Sequence, residues 1–86
     1  LGKVYRELGF HYADKAGRYF ERALRIFENL GARYAKAKCQ YEFAIFLLLV
    51  EEHKEAKKLL EQAQVTFEEL ETKSDLLLVN QKLKLL

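Results

Sequence analysis

Two histidines and one cysteine are the side chains in this 86-residue sequence with the most obvious chemical potential. His11 and His53 are far apart in the sequence and fall in different units of a predicted helical repeat, whereas a zinc site needs several ligands that converge on one ion. We interpret both as side chains that pack at turns between helices. Cys39 lies between Lys38 and Gln40 in a predicted helix. A cysteine nucleophile needs a base beside it, and no histidine is predicted there, so we interpret Cys39 as a small, partly buried apolar residue.

Paired carboxylates occur at Glu51–Glu52 and at Glu68–Glu69. Adjacent residues on a helix point in different directions, so neither pair can converge on one substrate atom. The sequence also contains no glycine-rich phosphate-binding loop. We therefore expect no enzymatic activity, no metal site and no cofactor.

Three lysines, Lys54, Lys57 and Lys58, form a basic strip on a predicted helix. Glu55 and Glu61 are interleaved with them, which favours a solvated outer face over a phosphate-binding surface. The net charge of +2 is also too small to indicate nucleic-acid binding.

The composition is that of a folded chain, with 50% hydrophobic and 33% charged residues. The absence of proline favours long, uninterrupted helices. The longest apolar run, residues 44–50, is too short to span a bilayer. Because this run is so short, we expect no membrane association. A single cysteine cannot form an internal disulfide, so we expect a reducing, cytoplasmic location.

Hydrophobic periodicity predicts helices over residues 12–30, 33–50 and 54–70, and a last helix through Leu86. Gly31 is placed to end the first of these, and Ser74 or Asp75 is placed to cap the last. A strand over residues 43–50 is the competing interpretation, which the lack of a partner strand and of turn residues disfavours.

The first and third predicted helices match each other at a constant offset of 40 residues. A fixed period of this size indicates stacked helical units. The matching pairs are Ala16 and Ala56, Phe20 and Leu60, Glu21 and Glu61, Ala23 and Ala63, Phe27 and Phe67, Glu28 and Glu68, and Leu30 and Leu70.

The residue types in this repeat resemble the tetratricopeptide (TPR) family. The first copy of the motif reads Leu1-Gly2 and Tyr5, followed by Ala16, Phe20 and Ala23. The second copy reads Phe43-Ala44 and Leu47, followed by Ala56, Leu60 and Ala63. The long period and the missing proline resemble degenerate repeats of bacterial and archaeal signalling and transcriptional regulators. The resemblance implies an all-α fold of antiparallel helix-turn-helix repeats stacked in a right-handed superhelical solenoid. The single TPR-like domain or fragment, residues 1–86, would divide into a partial repeat (1–31), a full repeat (32–72) and the start of a third repeat or a capping helix (73–86).

This alignment needs a turn near Phe10-His11, between a partial helix A and a following helix B. The alternative is one continuous helix over residues 1–30.

Helices A line the concave wall in TPR proteins, where peptides or helices bind. The matching positions are Lys3, Arg6, Lys38, Tyr41, Ile45 and Leu48. Tyr41 and Ile45 replace the lysine and asparagine of the family's carboxylate clamp. We therefore expect a protein or peptide partner other than a chaperone C-terminal tail.

The last predicted helix is too apolar for a solvent-facing cap. The alternative function is thus a spacer or a self-association segment of a larger helical-repeat regulator, with a possible homo-oligomer formed through Leu77, Leu78 and Leu85.

Overall fold

The computed structural model describes the backbone of residues 2–86 and the side chains of residues 14–86. Helix α1 covers Gly2–Leu30, α2 covers Arg33–Leu49, α3 covers His53–Glu69 and α4 covers Lys73–Lys84. Residues 2–86 contain no strand. The all-α prediction is confirmed, and the strand considered over residues 43–50 is excluded.

Helix α1 is continuous through Phe10 and His11, so the predicted turn at this point is wrong and the alternative of one long helix is right. Gly9 is the nearest helix-weakening residue, and a single glycine costs a helix only about 1 kcal/mol. Without a proline to remove a hydrogen bond, that cost is too small to break the helix.

The three links between helices share one backbone conformation. Gly31, Glu51 and Glu71 have φ values of 69°, 64° and 57°, in the left-handed region. Each is followed by a residue of non-helical conformation that precedes the next helix, with φ and ψ of −83° and 79° at Ala32 and −88° and 85° at Thr72. The links therefore recur every 20 residues, which is half of the period in the sequence.

Each link closes its helix with the same two hydrogen bonds. At the first link, the Gly31 N–H donates to the Glu28 carbonyl at 3.1 Å, and the Ala32 N–H donates to the Phe27 carbonyl at 3.0 Å. The links at Glu51 and Glu71 repeat both bonds, in the pattern of a Schellman motif. Glutamate here carries a steric cost that glycine avoids, because a Cβ crowds the backbone at positive φ.

Helix α4 begins at least two residues earlier than the predicted caps allow. Thr72 is the N-cap residue, with no capping bond from its side chain, and Ser74 and Asp75 lie inside the first turn. The Thr72 hydroxyl instead donates back to the Phe67 carbonyl at 3.4 Å. The helix ends at Lys84 and not at the predicted Leu86.

Helices that are adjacent in sequence pack against each other. The core lies where α3 meets α2 and α4, and its largest fully buried side chains are Leu60, Phe67 and Val79. Small residues allow close helix packing there: Ala37, Ala44, Ala56 and Ala63 are all 1% exposed or less. Ala16 and Ala23 of α1, which correspond to Ala56 and Ala63, are only half-buried, because α1 packs mainly on α2.

No helix among the described residues is both long enough and apolar enough to cross a membrane.

Candidate functional site

The predicted groove residues of α2 lie on one stripe of the helix, at steps of three, four and three residues. Lys38 is exposed, and Tyr41, Ile45 and Leu48 are partly exposed. Tyr41 and Leu48 also pack against the core. The inner side of Leu48 therefore supports the fold, and only part of its surface is open to a partner.

A polar cluster lies at one end of this stripe and joins α2 to α4. The Tyr34 hydroxyl donates to Asp75 Oδ2 at 2.8 Å, and Lys38 Nζ lies 4.0 Å from Asp75 Oδ1. The same ammonium lies 5.9 Å from the centre of the Tyr34 ring, within cation–π range. Lys38 thus has an acidic neighbour on α4.

The Tyr34–Asp75 contact alters the acidity of the phenol. The hydrogen bond to Asp75 raises the pKa of Tyr34 above its ordinary value of 10.0, with partial burial and the carboxylate's charge acting in the same direction. Both Tyr34 and Asp75 were absent from the predicted site. The 40-residue offset of the repeat, applied to Gly31, could have placed Asp75 in the first turn of α4 and not at its cap, but it does not reveal the contact with Tyr34.

Lys3 and Arg6 lie outside the residues whose side chains the structure describes. Their assignment to the groove stays a prediction.

Three leucines predicted to mediate self-association are open to solvent. Leu77, Leu78 and Leu85 are 60%, 45% and 78% exposed. On the other side of α4, Val79 is fully buried, and Leu76 and Leu83 pack on the core. One side of α4 therefore holds the helix on α3, and the other presents apolar surface.

The basic strip lies on a shallow depression along α3, with a volume of about 430 Å³. Its lining residues are Lys54, Lys57, Lys58, Glu61, Gln62 and Val65. Since one helix supplies every lining residue, the depression has no opposing wall that could enclose a ligand.

A second depression, of about 330 Å³, lies where the α1–α2 link meets α3. Its charged lining residues are already engaged, because Lys36 pairs with Glu28 and Arg33 pairs with Glu69. These pairs join adjacent helices and leave little free charge for a ligand.

Cys39 is 8% exposed, and its thiol faces the Phe20 carbonyl, with the sulfur 4.0 Å from the oxygen. Burial, followed by the charge of Glu42, raises the pKa of the thiol. A thiol in this environment is less ionised and therefore less nucleophilic than a free cysteine. Among residues 14–86, no cluster of histidine, cysteine and carboxylate side chains could hold a metal ion.

Comparisons with protein-family models, with curated proteins and with solved structures found no match to this chain.

Proposed function

We propose that this chain is a non-enzymatic protein-interaction module with a TPR-like solenoid fold, in which α2 and α4 line a concave groove. The observation that carries the proposal is the polar cluster of Tyr34, Lys38 and Asp75. The cluster joins α2 and α4, which α3 separates in the sequence. Such a contact is expected if α2 and α4 are successive helices A, because successive helices A line the concave wall of a TPR-like solenoid. The occupant is an amphipathic helix or an extended peptide with an acidic residue.

The apolar stripe beside the cluster supports binding by pre-organised side chains. Tyr41 and Leu48 are held by the core on one side and partly exposed on the other. Side chains that are already ordered lose little rotamer entropy when a partner binds. Tyrosine is also a residue type enriched among the dominant contacts of interfaces.

Lys38 supplies the charge selectivity of the groove. Its side chain is about half exposed beside Asp75, so its ammonium can bind a second carboxylate from the solvent side. An acidic partner residue would bind the open side of Lys38, whereas a basic one would meet its positive charge.

The test begins with selection of peptides from a displayed random library, followed by calorimetric titration of the enriched sequences. Tyr41→Ala should weaken binding by about 2 kcal/mol, as for a partly buried aromatic anchor. Lys38→Ala should mainly reduce the salt dependence of binding.

Lys57→Ala and Lys58→Ala are the matched controls and should leave the affinity unchanged, because both lysines line the depression on α3. If these substitutions weaken binding and Tyr41→Ala does not, the partner binds the outer basic strip and the groove is the wrong site.

A second candidate function is self-association or spacing within a longer helical array. The exposed leucines of α4 favour it, because contiguous exposed apolar surface commonly marks an interface.

A further inference from the structure

We propose that a second copy of this chain packs head to tail on the first, so that the interface between α2 and α3 is repeated between molecules. Two surfaces would meet. The α4 open face consists of Leu77 and Lys84, and the α1 open face consists of Tyr19, Arg22 and Ile26; all five residues are exposed. This proposal deepens the self-association candidate and is independent of the peptide groove.

The contact between α2 and α3 within one molecule is the template for this contact, because the internal repeat relates the two pairs of helices. The links at Gly31 and Glu71 are 40 residues apart and share their backbone conformation and hydrogen bonds. Helix α4 therefore corresponds to α2, and the second half of α1 corresponds to α3. In one molecule α2 packs on α3. The corresponding contact, α4 on α1, needs a second copy.

Positions that are covered inside the repeat are open at its two ends. Ala37 on α2 is 1% exposed, and the corresponding Leu77 on α4 is 60% exposed. Leu59 on α3 is 9% exposed, and the corresponding Tyr19 on α1 is 71% exposed. Leu77 and Tyr19 are both larger than their covered equivalents, so apolar surface is available on both sides of the proposed contact, and the two helices would lie farther apart than α2 and α3 do.

The ion pair at one end of the template has a polar counterpart in the proposed contact. Arg33 at the start of α2 pairs with Glu69 at the end of α3. The corresponding residues are Lys73 at the start of α4 and Asn29 near the end of α1, and both are exposed. The side-chain carbonyl of Asn29 can accept a hydrogen bond from the Lys73 ammonium. The ion pair of the template is thus replaced by a charge-assisted hydrogen bond between two copies.

The polar contact at the middle of the template has a counterpart as well. Gln40 donates to Gln62 at 3.1 Å. Asn80 and Arg22 occupy the corresponding positions. Asn80 Oδ1 already accepts one bond from Gln64 at 2.7 Å and has a second lone pair that an Arg22 N–H of another copy can use.

The one charged replacement on the α4 side has a matching change on the α1 side. Lys84 stands where α2 has Ala44, and Tyr19 stands where α3 has Leu59; Ala44 and Leu59 belong to one buried cluster. An ammonium beside a phenol ring is a favourable cation–π arrangement. The exchange of an aliphatic pair for a lysine and a tyrosine therefore preserves attraction at this place.

A contact between two different faces has a distinctive solution behaviour. A dimer formed in this way still presents one free α1 open face on one copy and one free α4 open face on the other, so growth does not stop at a dimer. Sedimentation velocity of the 86-residue chain should show a concentration-dependent series of species. Lys84 and Arg22, the charged members of the two faces, are both cations, so added salt should strengthen the association by screening their repulsion.

Two variants test which faces meet. The contacts of Gln40 with Gln62 and of Arg33 with Glu69 set the register of the template. Leu77→Lys blocks the α4 open face, because this register brings Arg22 and Arg25 of another copy towards it. Tyr19→Lys blocks the α1 open face, because Lys84 lies at the corresponding place. Each variant alone should associate at least tenfold more weakly than the wild type. An equimolar mixture should form a 1:1 dimer that does not grow, since each variant keeps the face that the other lacks.

Val65→Lys is the matched control, because Val65 is 53% exposed on α3, away from both faces. It should associate as the wild type does, and circular dichroism should show unchanged helicity in all three variants. A wild type that stays monomeric at high concentration would overturn the proposal. So would association of Tyr19→Lys at wild-type strength, which indicates that two α4 faces pair with each other. Neither result would affect the groove, whose test is peptide affinity.

Discussion

Tyr34 and Asp75 are 41 residues apart, and a hydrogen bond of 2.8 Å between their side chains ties α2 to α4. The packed pairs of helices are otherwise neighbours in sequence. The relative placement of α2 and α4, and hence the shape of the proposed groove, depends in part on this single bond.

This bond makes the free energy of unfolding sensitive to alkaline pH. The pKa of Tyr34 is raised in the folded state, so folded protein holds the proton more tightly than unfolded protein. The contribution is fully present below the unfolded-state pKa, and it is lost as pH rises through the folded-state pKa. Urea unfolding near neutral pH and at about pH 11 should therefore show a smaller alkaline loss for Tyr34→Phe than for the wild type. Tyr19→Phe is the control and should behave as the wild type; equal losses in all three proteins would refute the assignment.

Glycine at the second and third links should stabilise the fold. Glu51→Gly and Glu71→Gly each relieve a side chain at positive φ and remove an anion from a helix C-terminus. Each should raise the free energy of unfolding by about 0.5–1 kcal/mol in chemical denaturation, and the two effects should add. Glu61→Gly, inside α3, is the same exchange in a helical conformation and should cost about 1 kcal/mol. A loss of stability in the link variants would contradict the left-handed conformation.

Two glycines should respond to alanine in opposite directions. At both Gly17 and Gly31 an added Cβ meets no atom within 4 Å, so only the backbone conformation distinguishes them. Gly17→Ala in α1 should add about 1 kcal/mol to the free energy of unfolding. Gly31→Ala, at φ of 69°, should lower it by about 1–2 kcal/mol. Thermal and urea unfolding of both variants would check the pair, and the same sign for both would be inconsistent with the link geometry.

Overpacking should depend on which copy of the repeat is changed. Ala56 in α3 is completely buried, so Ala56→Leu should cost roughly 1–3 kcal/mol. Its counterpart Ala16 in α1 is only half-buried, and Ala16→Leu should cost less than about 1 kcal/mol. Equal costs by urea denaturation would mean that α1 is packed on both sides as α3 is.

The sequence predicted the helices well where periodicity and a turn residue agreed. Gly31 predicted the end of α1, and the predicted third helix differs from α3 by one residue at each end. The predicted turn at Phe10-His11 followed from the family pattern alone, with no proline to enforce it. The cap of α4 was misplaced because Ser74 and Asp75 are typical capping residues, whereas the recurring backbone link selects Thr72.

The candidate site could be predicted less completely. Helical spacing placed Lys38, Tyr41, Ile45 and Leu48 on one stripe. It could not reveal the contact of Lys38 with Asp75, because that contact depends on how two helices separated by α3 are arranged. Similarly, periodicity identified α4 as apolar, but only packing determines that Val79 is buried and Leu77 is exposed.

The short links, of two or three residues, also bear on how fast the chain folds. Because each helix packs mainly on the one before it, folding closes only short loops, and little entropy is lost before the contacts form. Helical proteins with such local contacts fold in microseconds to milliseconds. A helix pair can therefore form soon after its residues are synthesised, before the rest of the chain is complete.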